Sequence, residues 1–438
     1  MGENTFFKRR DFMKHSSLAA GALMASPLIA SGYGFQNSVN DEIKIALVGC
    51  GGRGSGAATQ ALKAAPNVRL VAMCDAFEDR LKESLNSIKQ AVPGDRVDVP
   101  ADRQFVGFDG YKQAIALCDV IILTTPPAFR PMHFAEAIKQ DKHVFMEKPV
   151  STDAAGIRSV LKTAEEAKRK KLNVVVGLQR HYQAKYKELM AMVHKGKIGD
   201  ITSGQVYWNS AGVWVRPREA QQTEMEYQMR NWYYFTWLCG DHIVEQHIHN
   251  LDVMNWAKQS YPVKAQGMGG REVRKGKEHG QIFDHHFVEF TYADGSIMNS
   301  QCRHIKNCWN QVNETIVGTK GKVDFGAGLM TSHKGKVLLK HDDTNDLNPY
   351  QVEHNELFAA INNGEYKFAD ADNGAKSTMT SIFGRMATYS GQILTWDEAI
   401  NSKDDLIPSS FSWNDMPPAK PDANGDYVVA VPGSTSVV

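Results

Sequence analysis

Residues 43–56 read IKIALVGCGGRGSG, an apolar run followed by a glycine-rich turn and the start of an alanine-rich stretch. The apolar run predicts a buried strand and the alanine-rich stretch a helix. Between them Gly49, Gly51 and Gly54 have the GxGxxG spacing of a dinucleotide-binding loop, with Gly52 and Arg53 completing it. Each glycine answers a physical need: a tight turn, close approach of backbone to a pyrophosphate, and close helix–strand packing. The pyrophosphate would rest on the free N–H groups at the helix N-terminus. A glycine turn after a strand is common, so the surrounding chain has to decide its meaning.

The surroundings alternate strand and helix. Strands are predicted at 43–48, 68–74, 104–106, 119–124, 143–146 and 173–177, with helices between them and Pro66 ending the first. That alternation implies a parallel, doubly wound sheet with helices on both faces, whose ligands sit at the carboxyl ends of the strands. Gly49, Asp75, Thr124, Thr125, Pro126, Glu147 and Lys148 all fall at such ends. Asp75 lies about twenty residues past the last loop glycine, where a carboxylate accepts hydrogen bonds from the adenosine ribose and repels a 2′-phosphate. NAD is therefore expected and NADP disfavoured, with Arg80 the one nearby residue that argues the other way. Asp75 can also serve as the N-cap of the helix that follows.

The chain has 438 residues, enough for two domains, with 42% hydrophobic and 23% charged residues. Its formal net charge of +1 leaves no excess of positive charge for a nucleic-acid partner. The six cysteines are scattered without CxxC pairs or metal-ligand spacing. Residues 1–32 read as a targeting leader: KRRDFMK at 8–14, an apolar run at 18–30, then small residues. The paired arginines followed by Phe12 and Lys14 resemble a twin-arginine export signal. An uncleaved anchor is the competing reading of that run, which is short for a membrane span. Outside the leader no stretch reaches transmembrane length, so no stable membrane insertion is expected after export.

The expected organisation is a leader (1–32), a dinucleotide-binding Rossmann domain (41–178), an α+β domain on a mostly antiparallel open sheet (179–395) and an irregular tail (396–438). Within the second domain, residues 240–256 read GDHIVEQHIHNLDVMNW. As one helix this segment places Val244, Ile248 and Leu251 on a packing stripe, and His242, Glu245, His249, Asp252 and Trp256 on another. His249 can then act as general acid/base with Glu245 one turn back orienting it. Glu245, His249 and Asp252 or His242 could instead share an ion, but the spacing matches no zinc signature and no metal is expected. Lys148, held before a proline, can hydrogen-bond a substrate oxygen and stabilise developing alkoxide charge. Arg180 and Tyr182, just past the sixth strand, are expected to line the domain junction with His242 and Asp252 as substrate-binding residues.

The runs GCGGRG, TTPP and DKHVFMEKP, with the Asp75 strand end, resemble the Gfo/Idh/MocA oxidoreductases, as do GLQRHY, KGKIGDI, VGTKGKV and the Glu245–His249 pairing. The likeness covers the chain after the leader, and EKP is its most specific part. It implies a Rossmann domain followed by a domain whose open sheet mediates homo-oligomers. It also implies Lys148 and His249 as the catalytic pair, acting on a secondary hydroxyl of a sugar, glycoside or polyol. Family members carry Asp where this chain has Glu245.

Export adds a constraint, because free NAD is scarce outside the cytoplasm. A tightly bound cofactor, recycled on the enzyme, is expected. A redox glycosidase cycle of oxidation, elimination and re-reduction, like that of α-N-acetylgalactosaminidases in the same superfamily, is the alternative. A non-catalytic, NAD-loaded sugar-binding protein is the third reading.

Overall fold

The computed structural model describes residues 41–438; the expected leader lies outside them. The first sheet contains β1 (Ile43–Val48), β2 (Val68–Asp75), β3 (Gln104–Val106), β4 (Val120–Leu123), β5 (His143–Met146) and β6 (Val174–Val176). All pairings are parallel, in the order β3-β2-β1-β4-β5-β6. The strands are apolar throughout because both faces are covered. Ile45 and Leu47 face one core with the helices Gly52–Ala64 and Glu78–Ala91, while Ala46 and Val48 face the other.

The second sheet has nine strands: β7 (Ile201–Ser210), β8 (Lys264–Gly270), β9 (His285–Thr291), β10 (Ile297–His304), β11 (Gln311–Gly318), β12 (Gly321–Asp324), β13 (Leu329–Ser332), β14 (Val337–Lys340) and β15 (Leu394–Thr395). Their order is β14-β13-β12-β11-β7-β10-β9-β8-β15, antiparallel except for the β7–β10 pair. Burial alternates strictly along β9 and β10, so one face is covered and the other open. The covered face packs on the helices Ile248–Lys258 and Ala371–Ser390, and its core is continuous with one face of the first sheet.

Three features differ from the expected organisation. The helix Pro349–Asn362 and Phe368 return to the first sheet, where Leu357, Phe358, Ile361 and Phe368 complete the core around Ile45 and Val175. The segment read as one helix over 240–256 is two, His242–Glu245 and Ile248–Lys258. At the break His247 turns inward, its ring between Asn250 Oδ1 (3.3 Å) and Ser300 Oγ (2.8 Å). A buried polar ring with partners on both nitrogens holds that bend in place. The tail expected to be irregular from 396 begins with a helix, Trp396–Ile400, capped by Thr395, and only after 400 carries no helix or named strand. All six cysteines are free, five of them buried. No helix among the described residues is long and apolar enough to cross a membrane.

Candidate active site

The glycine loop is built by contact. Gly49 has φ +97°, and a Cβ there would lie 2.4 Å from Thr125 N. A Cβ on Gly54 would lie 2.1 Å from Gly49 O. Thr124 Oγ1 closes the turn by donating to Gly49 O at 2.5 Å. Gly51 and Gly52, by contrast, face open space with no atom within 4 Å of an added Cβ. Their backbone N–H groups stand at the start of a 13-residue helix. This is the cradle a pyrophosphate requires.

A cavity of 390 Å³ opens above it, walled by the loop, Asp75, Phe77, Arg80, Phe108, Thr124, Thr125 and Pro126 from the first domain. Asp75 Oδ2 accepts from Cys50 N at 2.6 Å and Oδ1 from Phe77 N at 2.9 Å. The helix it was read to cap begins at Glu78 with Phe77 as its cap, so Asp75 braces the turn before it. A carboxylate has about four acceptor sites, which leaves capacity for ribose hydroxyls. Burial pushes the Asp75 carboxyl above the usual range. The far wall comes from the second domain: Trp214, Arg216, Met229, Arg230 and Trp232. Arg230 lies over the Phe77 ring at 4.0 Å and pairs with Asp79 at 3.1 Å. Trp413 of the tail packs on Phe77 (5.1 Å) and Phe108 (4.5 Å), with Phe411 on Phe108 and Phe129.

A second cavity of 270 Å³ shares Arg53, Thr124, Thr125 and Trp232 with the first. Lys148 and His249 both line it, as do Glu147, Glu245, Gln246, Trp208, Arg130 and Tyr350. Lys148 follows β5 through Glu147, and its Nζ donates to Glu245 O at 2.7 Å and Glu245 Oε1 at 3.2 Å. An ammonium has three protons, so one remains for a substrate oxygen. Glu245 therefore positions Lys148, whereas the sequence placed it behind His249. The helix breaks between Glu245 and His249, so the two no longer sit one regular turn apart. His249 lies against Trp208, with Nδ1 buried and unpartnered. Burial first, then the positive charges of Lys148, Arg180 and Arg53, hold its pKa well below the ordinary value. It is a neutral imidazole, able to take a proton.

Arg53 joins the two cavities. Its Nε donates to Glu147 Oε1 at 2.5 Å, Nη1 to Gln60 at 2.9 Å and Nη2 to Glu353 at 3.2 Å, with the guanidinium 4.7 Å from the Tyr350 ring centre. Glu147 thus braces the loop from the strand end that delivers Lys148.

Four residues expected to bind substrate line neither cavity. Arg180 is ion-paired with Glu314, which also accepts from Tyr186 and Asn250. It reaches His249 only through its field. The Tyr182 hydroxyl donates to Asp370 at 2.9 Å. Asp252 is taken up by His181 (2.7 Å), Ser377 (2.7 Å) and Asn373 (3.1 Å). His242 is fully buried against His304. The broken helix rotates this stripe apart, so only Glu245 and His249 reach the cavity. Conversely, Arg130, Trp208, Trp232, Gln246 and Tyr350 escaped the sequence reading. Arg130 is buried with Nε and Nη1 unpartnered, and its one sequence signal was its place just after the TTPP turn.

Known proteins carry the same architecture. Residues 43–176 match the profile described as "Oxidoreductase family, NAD-binding Rossmann fold", and 186–324 that of the GFO/IDH/MocA C-terminal domain. The chain belongs to the Gfo/Idh/MocA family. An inositol 2-dehydrogenase of Pseudomonas fluorescens is 32% identical over 160 residues, 36% of this chain and 40% of that protein. A glycosyl hydrolase family 109 protein of Solibacter usitatus is 25% identical over 209 residues, 46% of this chain and 45% of that protein. The chain spans less than half the length of these curated relatives. Among solved structures, scyllo-inositol dehydrogenase of Lactobacillus casei with NAD(H) and scyllo-inositol superposes with TM-score 0.61 at 19% identity, over 82% of this chain and all of that one. The aldose-aldose oxidoreductase of Caulobacter crescentus gives 0.62 at 16%, over 81% and 99%. At such identities these two show a shared fold and nothing further.

Proposed function

We propose that the protein is an NAD-dependent oxidoreductase acting on a secondary hydroxyl of a sugar, glycoside or polyol. The observation that carries this is the convergence of Lys148 and His249 on a cavity continuous with the cradle above Gly51 and Gly52. When bound, NAD supplies the hydride acceptor. The free proton of Lys148 Nζ polarises the substrate oxygen, and the neutral His249 ring takes its hydroxyl proton. Trp208 offers an apolar face of the kind sugar rings pack on. The naming of relatives as inositol 2-dehydrogenases supports a polyol or sugar substrate. A panel of inositols, aldoses and glycosides, read by nicotinamide fluorescence, tests the proposal: a substrate-dependent rise is expected. Glycoside cleavage without net change would favour a redox glycosidase, the reading that the family 109 relative supports. Intact binding without either would leave a sugar-binding protein.

NAD over NADP rests on Asp75. Asp75→Ser is expected to weaken NAD binding about tenfold while NADP binding gains, because the repulsion of a 2′-phosphate is removed and Arg80 and Arg216 stand nearby. Unchanged preference in a fluorescence titration would reassign the discrimination.

We also propose that the cofactor is retained and the protein periplasmic. The leader supports the location, and the Trp214 and Arg230 wall, with Phe411 and Trp413 packed behind Phe77 and Phe108, supports retention. Protein recovered from the periplasm should contain bound NAD, and Arg9→Lys with Arg10→Lys should hold it in the cytoplasm. Trp413→Ala should speed NAD release by about tenfold, since Phe77 and Phe108 lose an aromatic backing of about 1 kcal/mol or more and the wall they form loosens; an unchanged off-rate would mean that the tail does not support the wall.

Homo-oligomer formation through the open sheet face is proposed on the cross-strand pair of Met268, 71% exposed, and the half-buried Phe287. Met268→Glu with Phe287→Glu is expected to reduce the mass measured by light scattering. An unchanged mass would send the interface elsewhere.

A further inference from the structure

Behind the broken helix lies a polar cluster that neither cavity uses. Asp241, His242 and His286 are fully or almost fully buried and bring one ligand atom each within 4.8 Å of the others. Among the described residues no other group of histidines, cysteines and carboxylates meets that condition. Both ring nitrogens of His242 lack any hydrogen-bond partner, as does Nε2 of His286. Buried unpaired polar atoms cost about 1–3 kcal/mol each, and three in one cluster call for an occupant.

The surrounding bonds say what the occupant is. Thr388 Oγ1 donates to the carbonyls of Gly384 (3.2 Å) and Arg385 (2.9 Å), so it accepts from His286 Nδ1 at 2.9 Å. His286 Nδ1 then carries a proton, and Nε2 faces Asp241 Oδ1, 3.3 Å away, an oxygen that also accepts from His242 N at 2.5 Å. His242 Nε2 is 3.9 Å from the same oxygen. That pair needs a cation between its atoms, a proton or a metal ion, and the buried, unpartnered ring of His242 beside it favours the metal ion. Asp241 Oδ2 is held by Tyr389 OH (2.6 Å) and Phe283 N (2.9 Å), which fixes the carboxylate as a ligand's outer partners do. Asp241 itself has φ +79° and ψ 161°, a backbone state costly for a non-glycine residue and met at sites where a side chain must be aimed. His304, flat against His242 at 4.4 Å, has its own partners in Arg274 and Gln246 and is not free to ligate.

We propose that Asp241, His242 and His286 bind one divalent transition-metal ion of the zinc class. Two imidazoles and one carboxylate suit a borderline ion rather than magnesium or calcium, which prefer all-oxygen shells. The ion would anchor the short helix His242–Glu245, whose last residue holds Lys148. Through His304 it would also brace Gln246 in the cavity wall. Its role is positioning.

The full chain, produced in zinc-supplemented and in cobalt-supplemented medium, provides the test. Elemental analysis should find about one equivalent per chain, and the cobalt form should show visible ligand-field absorption. His242→Leu and His286→Asn should each lose both, while His285→Asn, a neighbour bonded to Asp284, keeps them. Without a metal, His242→Leu removes two unpaired nitrogens and leaves Tm unchanged or higher; with one, Tm falls by about 5 °C and chelation brings the wild type down equally. Wild-type protein that is metal-free and takes up no zinc on dialysis, or a His242→Leu protein that retains one equivalent, overturns the proposal.

Discussion

Lys148→Met and His249→Asn are each expected to lower turnover by about 10³-fold while NAD remains bound. Lys148→Met keeps the length of the side chain but removes the charge and the proton left over from Glu245. His249→Asn keeps a polar group of similar reach that cannot accept a proton. Neither residue lines the larger cavity, so cofactor titrations should be close to wild type. The pH profile adds a second readout. The His249 pKa is depressed, so the folded protein favours the neutral ring, and the acid limb of activity should fall below the ordinary histidine range. Retained turnover in either variant would remove that residue from the chemistry. An acid limb at the ordinary histidine pKa would mean that His249 is hydrated and its burial incomplete.

Gly54→Ala and Gly52→Ala should separate folding from binding within one loop. At Gly54 the new methyl meets Gly49 O at 2.1 Å and Thr124 Oγ1 at 2.6 Å. Backbone cannot yield as a flexible side chain can, so a loss of about 3 kcal/mol or more in denaturant unfolding is expected, with cofactor binding abolished. At Gly52 the methyl meets no protein atom and enters the space above the helix N-terminus. Stability should there change by less than about 1 kcal/mol, while NAD affinity falls at least tenfold because the methyl competes with the pyrophosphate. A Gly52→Ala protein that binds NAD normally would mean that the phosphates lie elsewhere.

The first domain was legible because its signals are local. The alternation of strand and helix placed β1, β3 and β5 to the residue, and the strand ends placed the loop, Asp75, Thr125 and Lys148 on the walls of the two cavities. The site in the second domain was legible only in part. Helical periodicity over 240–256 chose the right segment but assumed an unbroken helix. The bend at His247 depends on Ser300 in β10, a partner fifty-three residues away that no spacing rule reveals. The same break moved Glu245 onto Lys148 and withdrew His242 and Asp252 from the cavity. Arg180 and Tyr182 were read from their place after a strand, yet Glu314 and Asp370 claim them. The aromatic wall and its backing join residues near 77, 108, 230 and 411, so its parts met only in three dimensions.

The return of the late helix to the first sheet has a consequence in time. Leu357, Phe358 and Phe368 fill the face of the sheet to which Ile45, Leu47 and Val175 belong, and Asn67 is tied to Asn362 at 2.9 Å. Synthesis delivers those residues nearly two hundred positions after β6. Until they emerge, the nascent sheet has an uncovered apolar flank, and the brace from Glu353 to Arg53 does not exist. The nucleotide cradle, though encoded first, is therefore completed late, and a chain cut after residue 178 would be expected to aggregate rather than bind nucleotide. Fragments ending at 178 and at 370, compared for soluble yield and NAD binding, would place that moment on the ribosome.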